Sequence, residues 1–159
     1  MSELEKILNI DIDFNIKHFK KGELIQKPNE LKANAIYVKK GLIRSYIIDS
    51  SGKEHIYIFA SEVWITGDIE AVEFNKPTIL YIDCLEDSDV VFLKKDHVSE
   101  SDLTKEKMLE NMKNIWRNMA KLQDRILMLI GSPAVDRYNH FLETYPELPN
   151  RVPQKMIAS

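Results

Sequence analysis

The chain of 159 residues is long enough for one core and an appendage, and its single cysteine, Cys84, excludes a disulfide framework and a multi-cysteine metal or iron–sulfur site. No apolar run reaches the roughly 18 residues of a membrane span, and MSELEKILNI lacks the layout of a signal peptide, so a cytoplasmic protein without a membrane partner is expected. The net charge of −3 is uneven, but the 9 basic and 7 acidic residues of 101–159 are too nearly balanced to argue for nucleic acid by themselves.

Residues 2–18 read as a short helix or two, with Leu4, Ile7, Leu8 and Ile12 as the apolar face. From Phe19 to about His97, short runs of Ile, Val, Tyr and Phe alternate with turn residues, which predicts an all-β barrel or sandwich. The runs are Glu23–Gln26, Ala35–Val38, Leu42–Ile48, His55–Phe59, Ile79–Leu85 and Val90–Leu93. Gly22, Gly41, Gly52 and Gly67 fall at junctions, and Asp49-Ser50-Ser51-Gly52 is a four-residue hairpin loop.

The remainder is helical. A long helix, capped by Ser101 or Asp102, runs to about Ile130. Its apolar residues Met108, Met112, Ile115, Met119, Leu122, Ile126 and Leu129 step alternately by four and three, a heptad seam two residues wide that is suited to meet a copy of itself. Methionine packs adaptably, so a Met-rich seam also permits small helix shifts. The last turn, Ile126 to Ile130, is apolar all round and is expected to dock elsewhere as well, while Trp116, one step off the seam, is expected to pack against the β region. At Gly131-Ser132-Pro133 glycine should end the helix, serine cap the next and proline take its first position. A second helix, about Pro133 to Thr144, gives way to a loop with Pro149 and Pro153. Gln154 to Ser159 then reads as a helix just starting, so a parent protein that continues is expected.

Catalytic signals are absent from this reading. His18, His55, His97 and His140 are isolated, and no Ser/His/Asp or paired-carboxylate pattern occurs, so neither a metal site nor an enzyme is expected. Cys84, in a strand pattern, reads as a buried small hydrophobe, and Trp64 as packing under the turn that follows it.

Five strings in order resemble the Crp/Fnr family of bacterial transcription regulators: Phe19-Lys20-Lys21-Gly22-Glu23, Ala35 to Arg44, Asp49 to Glu54, Trp64 to Glu70, and Arg151 to Ser159. The resemblance implies an α+β fold: a cyclic-nucleotide-binding-like β-roll (a double-stranded β-helix of jelly-roll type) with a short N-terminal helix and a long C-terminal dimerisation helix. The start of a winged helix-turn-helix follows. It implies a sensor domain at 1–100, a dimerisation helix at 101–131 and an incomplete DNA-binding domain at 132–159. Its implied partners are a second copy of the chain, duplex DNA through a part beyond this chain, a small-molecule effector and RNA polymerase, with no bound cofactor. A free-standing small-molecule-binding β-roll without DNA binding is the alternative.

The Trp64–Glu70 string looks like the start of the family's phosphate cassette, in which a glycine admits the phosphate, a Glu holds the ribose and an Arg-Ser pair takes the phosphate. The resemblance makes Trp64, Gly67, Asp68, Ile69, Glu70, Lys76, Thr78 and Ile79 the effector-pocket candidates. Gly67 is kept, Asp68 is one methylene shorter than Glu, and Thr78-Ile79 stands where Arg-Ser belongs. Losing a charged bidentate partner in a desolvated site costs roughly 2–5 kcal/mol, which argues against ordinary cyclic-AMP recognition. Lys76 is the nearest replacement charge.

Overall fold

The computed structural model describes residues 16–31, 33–93 and 104–157. The β-branched and aromatic runs become strands: β1 Ile16–Phe19, β2 Leu24–Gln26, β3 Ala35–Lys40, β4 Ile43–Ile48, β5 Glu54–Ala60, β6 Ile65–Thr66, β7 Tyr81–Cys84 and β8 Ser88–Leu93. They pair antiparallel in two four-stranded sheets, ordered β1-β8-β3-β6 and β2-β7-β4-β5. This is the jelly-roll expected.

Alternation along each strand sorts the side chains. Ile36, Val38 and Val90 from the first sheet meet Ile43, Ala60, Ile82 and Cys84 from the second in one buried cluster, with Trp64 and Phe92 packed against it. The opposite face of the first sheet carries Tyr37 and its register partner Val91, flanked by Ile16, Ile65 and Leu93. On the second sheet, Arg44 and Tyr46 lie opposite Asp83 and Tyr81. Arg44 donates twice to Asp83, from Nε to Oδ1 at 2.8 Å and Nη2 to Oδ2 at 3.0 Å, and from Nη1 to Glu54 Oε2 at 2.6 Å. Its guanidinium sits 4.2 Å from the Tyr46 ring centroid, and Tyr46 stacks on Tyr81. Burial would lower the Arg44 pKa, but the bonds to Asp83 and Glu54 raise it above its ordinary value.

Gly41, at φ +94°, turns β3 into β4. A Cβ there would lie 2.4 Å from Ser88 Oγ and 2.6 Å from the Asp87 carbonyl oxygen, so the turn admits glycine alone. Cys84 is buried, as expected, and burial pushes its thiol pKa up to about 11.

A short helix, α1 (Ile69–Phe74), follows β6. The second unit, from residue 99 on, holds α2 (Lys105–Gly131), α3 (Ala134–Thr144), a 3₁₀ turn (Leu148–Asn150) and α4 (Gln154–Ile157), with Tyr145, Leu148 and Val152 buried. Along α2 the seam residues Met112, Met119, Leu122, Ile126 and Leu129 are each 46–56% exposed. The side chains of Met108 and Ile115 lie outside the described residues.

Several local expectations need correction. The predicted helix over 2–18 falls largely outside the described residues, but Ile16 to His18 belong to β1, where pairing with β8 overrides local propensity. β3 runs two residues past the expected Val38, to Lys40, and Ile79 and Leu80 precede β7. The hairpin loop spans Asp49 to Lys53, closed by the Asp49 amide on the Lys53 carbonyl at 2.9 Å. Trp116 is 63% exposed. In the last turn of α2, Leu127 and Ile130 are exposed in the single chain. Gly131 is the final residue of α2, and Pro133, not Ser132, is the N-cap of α3. The Ser132 amide still donates to the Met128 carbonyl at 3.1 Å, which holds that residue to the preceding helix. The expected caps Ser101 and Asp102, together with His97, lie outside the described residues.

Candidate functional site

The segment from Gly67 to Leu80 carries the chain from β6 of the first sheet to β7 of the second. Its glycine is pressed against its own fold: a Cβ on Gly67 would lie 3.1 Å from the Asn34 carbonyl oxygen and 3.2 Å from Ala35 Cα. The close approach that the glycine permits is therefore to the entry of β3.

Asp68 caps α1 with an extended backbone, its Oδ1 accepting from the Ala71 amide at 3.2 Å. The other oxygen, Oδ2, accepts from Thr78 Oγ1 at 2.9 Å and from the Ile79 amide at 3.0 Å. Burial raises the pKa of this carboxyl, but the Ile79 and Ala71 amides, then the Thr78 hydroxyl, hold it below its ordinary range. Asp68 is 9% exposed and Thr78 1%.

Thr78 ties this carboxylate to the second sheet. Its Oγ1 accepts from Gln26 Nε2 at 3.1 Å and from the Leu80 amide at 3.2 Å, and Gln26 Nε2 also donates to the Leu80 carbonyl at 3.3 Å. The Thr78 main chain bonds on both sides, its amide to the Glu30 carbonyl at 3.1 Å and its carbonyl to the Asn29 amide at 2.8 Å. Among the described residues no buried side-chain polar atom lacks a partner. Beneath the segment, Ser45 and Thr66 join the two sheets through their hydroxyls at 2.7 Å.

Two sets emerge from the eight candidates. Asp68 and Thr78 converge with the Ile79 amide in one hydrogen-bonded centre, with Gly67 beside it against Asn34 and Ala35, while Trp64 packs on the core cluster. The others face solvent: Ile69 is 71% and Ile79 68% exposed, Phe74 beside them is 70% exposed, and Lys76 pairs with Glu70. The nearest replacement charge is thus turned to Glu70. Gln26 is the participant that sequence reasoning missed. A polar residue ending an otherwise apolar strand run was the one available signal.

Two surface clefts are lined by other residues. One, of about 280 Å³, is lined by His18, Lys20, Lys40, Asp87 and Asp89; the other, of about 380 Å³, by Glu106, Leu109, Lys113 and Arg117. Among the described residues no group of three or more His, Cys, Asp or Glu side chains is placed to hold a metal ion, and no helix is long and apolar enough to cross a membrane.

The cyclic nucleotide-binding domain family matches residues 16–101. No curated protein matches the chain in sequence. Among solved structures, the chain is similar to FixK2 from Bradyrhizobium japonicum, with a TM-score of 0.64 and 19% identity over 87% of this chain and 67% of that one. It is similar to TTHA1359, a Crp/Fnr-family transcriptional regulator from Thermus thermophilus, with a TM-score of 0.62 and 19% identity over 84% of this chain and 66% of that one. The EAL enzyme Bd1971 in its half-site-occupied form aligns with a TM-score of 0.54 and 20% identity, over 67% of this chain and 96% of that chain. The chain thus spans about two thirds of the length of FixK2 and TTHA1359.

Proposed function

The chain belongs to the cyclic nucleotide-binding domain family and has the fold of Crp/Fnr-like proteins, and from this we propose that it is the effector-sensing and dimerisation part of a DNA-binding transcription regulator. The observation that carries this reading is the joining, in one chain, of a cyclic nucleotide-binding β-roll to a 27-residue helix with a half-exposed heptad seam. Such a seam is suited to pair with its twin. The helix α4, beginning at Gln154, would then be the first helix of the helix-turn-helix. No catalytic role is assigned to any residue.

The effector is not expected to be an ordinary cyclic nucleotide. Thr78 offers a single uncharged hydroxyl where the family uses arginine, and that hydroxyl is already committed to Asp68. A phosphate brought within about 4 Å of the Asp68 carboxylate would meet repulsion of about 4 kcal/mol at an effective dielectric of 20. On this reading any effector would engage the apolar surface around Ile69, Phe74 and Ile79, which is the solvent-facing part of the segment.

A gel-shift comparison tests the division of labour. The parent protein should bind duplex DNA with a steep salt dependence, and residues 1–159 alone should not. Tight, specific DNA binding by residues 1–159 would overturn the proposal. Loss of binding by the parent in all conditions would favour a free-standing sensor module.

A further inference from the structure

We propose that Asp68 is the resident anion of the cassette: its carboxylate takes the donors that a ligand phosphate would need and holds the segment 75–80 in its closed arrangement without a ligand. Four observations converge. The Ile79 amide and the Thr78 hydroxyl both point into Asp68 Oδ2, at 3.0 and 2.9 Å. The Ala71 amide donates to Oδ1 at 3.2 Å. Thr78 is 1% exposed, its main chain is bonded to Asn29 and Glu30, and its hydroxyl cannot swing to a ligand without giving up the bonds it accepts from Gln26 Nε2 and the Leu80 amide. The cation within the segment, Lys76, is engaged by Glu70.

The arrangement is a switch set in one position. In a site whose donors are unfilled, a bound anion would have to supply the negative charge that those donors face. Here a covalently attached carboxylate supplies that charge, and tethering makes its association with the donors intramolecular. The lowered pKa of Asp68 agrees with a carboxylate that remains charged at neutral pH. The inference rests on reading 64–79 as the family's cassette but not on DNA binding. The two therefore fail separately: a parent protein that ignores DNA would sink the regulator proposal and leave this one standing.

Amide hydrogen exchange followed by NMR on the 159-residue chain is the test, with cyclic AMP, cyclic GMP and inorganic phosphate as millimolar probes. In the wild-type chain none of the three should slow exchange at Ile79. Asp68→Asn keeps an oxygen for the Ala71 amide but brings a donor to Ile79. Exchange at Ile79 should therefore quicken by about tenfold or more, the loss of one hydrogen bond to a charged acceptor, while Ala71 stays protected. Thr78→Ser, which keeps the hydroxyl, should leave Ile79 as in the wild type. Two results overturn the proposal: slowed exchange at Ile79 when cyclic AMP is added to the wild-type chain, or unchanged exchange at Ile79 in Asp68→Asn. The first needs no variant to fold.

Discussion

Val63 donates its amide to the Val38 carbonyl at 2.8 Å while holding a φ of +71°. That conformation crowds a β-branched side chain against its own backbone and costs roughly 1–3 kcal/mol. The pairing with β3, reinforced by the Val38 amide on the Trp64 carbonyl at 2.9 Å, keeps the turn in place. The Val63 side chain is 42% exposed, so little packing depends on it. Replacing Val63 with Gly relieves the strain and adds about 0.5–1 kcal/mol of unfolded-chain entropy against it. The net expectation is a gain of about 1 kcal/mol, seen as a higher urea midpoint at unchanged slope. A lower midpoint would show that the turn carries no strain.

Thr78→Val keeps the shape of the side chain and removes its hydroxyl. The change leaves Gln26 Nε2 with only its longer bond to the Leu80 carbonyl, strips the Leu80 amide of its partner and weakens the hold on Asp68 Oδ2. Each buried group left unsatisfied costs about 1–3 kcal/mol, so a loss of roughly 2–4 kcal/mol is expected by chemical denaturation. Thr78→Ser should lose less than half as much. Equal losses in the two variants would place the effect in packing and not in the hydroxyl.

The seam makes a prediction about assembly. Leu122→Glu would put like charges into a dry helix pair, and sedimentation velocity should then report monomer where the wild-type chain reports dimer. A variant that sediments as a dimer at every concentration would show that the heptad is not the interface.

Alkaline pH should unfold the β-roll in a window set by two buried acids. Burial, with the charge of Asp83, pushes the Tyr46 pKa up to about 12 from 10.0, and burial pushes Cys84 up to about 11 from 9.0. Both groups become anions on losing a proton, so the fold favours their neutral forms. Their contribution is complete below the unfolded values and is lost as pH rises through the folded ones. Stability measured from pH 8 upward should fall between about pH 9 and 12, and Cys84→Ala should flatten the first part of the fall. A flat profile across that range would contradict both shifts. For the same reason, alkylation of Cys84 at neutral pH should proceed at the rate of global unfolding.

The β-roll was legible because its strands advertise themselves: Ala35–Lys40 and Ile43–Ile48 are β-branched and aromatic runs bounded by glycine and aspartate turns. β1 was not, because Ile-Lys-His-Phe at a sheet edge has apolar residues only at its ends and continues smoothly from Ile12. β6 is two residues long, too short to show a period. Of the candidate centre, Gly67, Asp68 and Thr78 were legible through family resemblance, while the bonding of Asp68 to Thr78 was not. Gln26 and Thr78 are 52 positions apart, and no local pattern announces that one donates to the other. Nor does a valine announce a left-handed turn, since strain of that kind is imposed by the strands on either side.

The bond from Thr78 to Asp68 spans 10 positions, and it closes that stretch at its base. The two sheets are therefore joined at the clasp, and residues 69–77 form an excursion whose length is of little concern to either sheet. Extending such a closed loop is inexpensive: each doubling costs only about 0.6 kcal/mol in closure entropy. Insertions near Asn75 should be absorbed there, so α1 and the turn after it can be lengthened, trimmed or rewritten while the barrel stays the same. The clasp makes the roll a fixed mount with an interchangeable fitting.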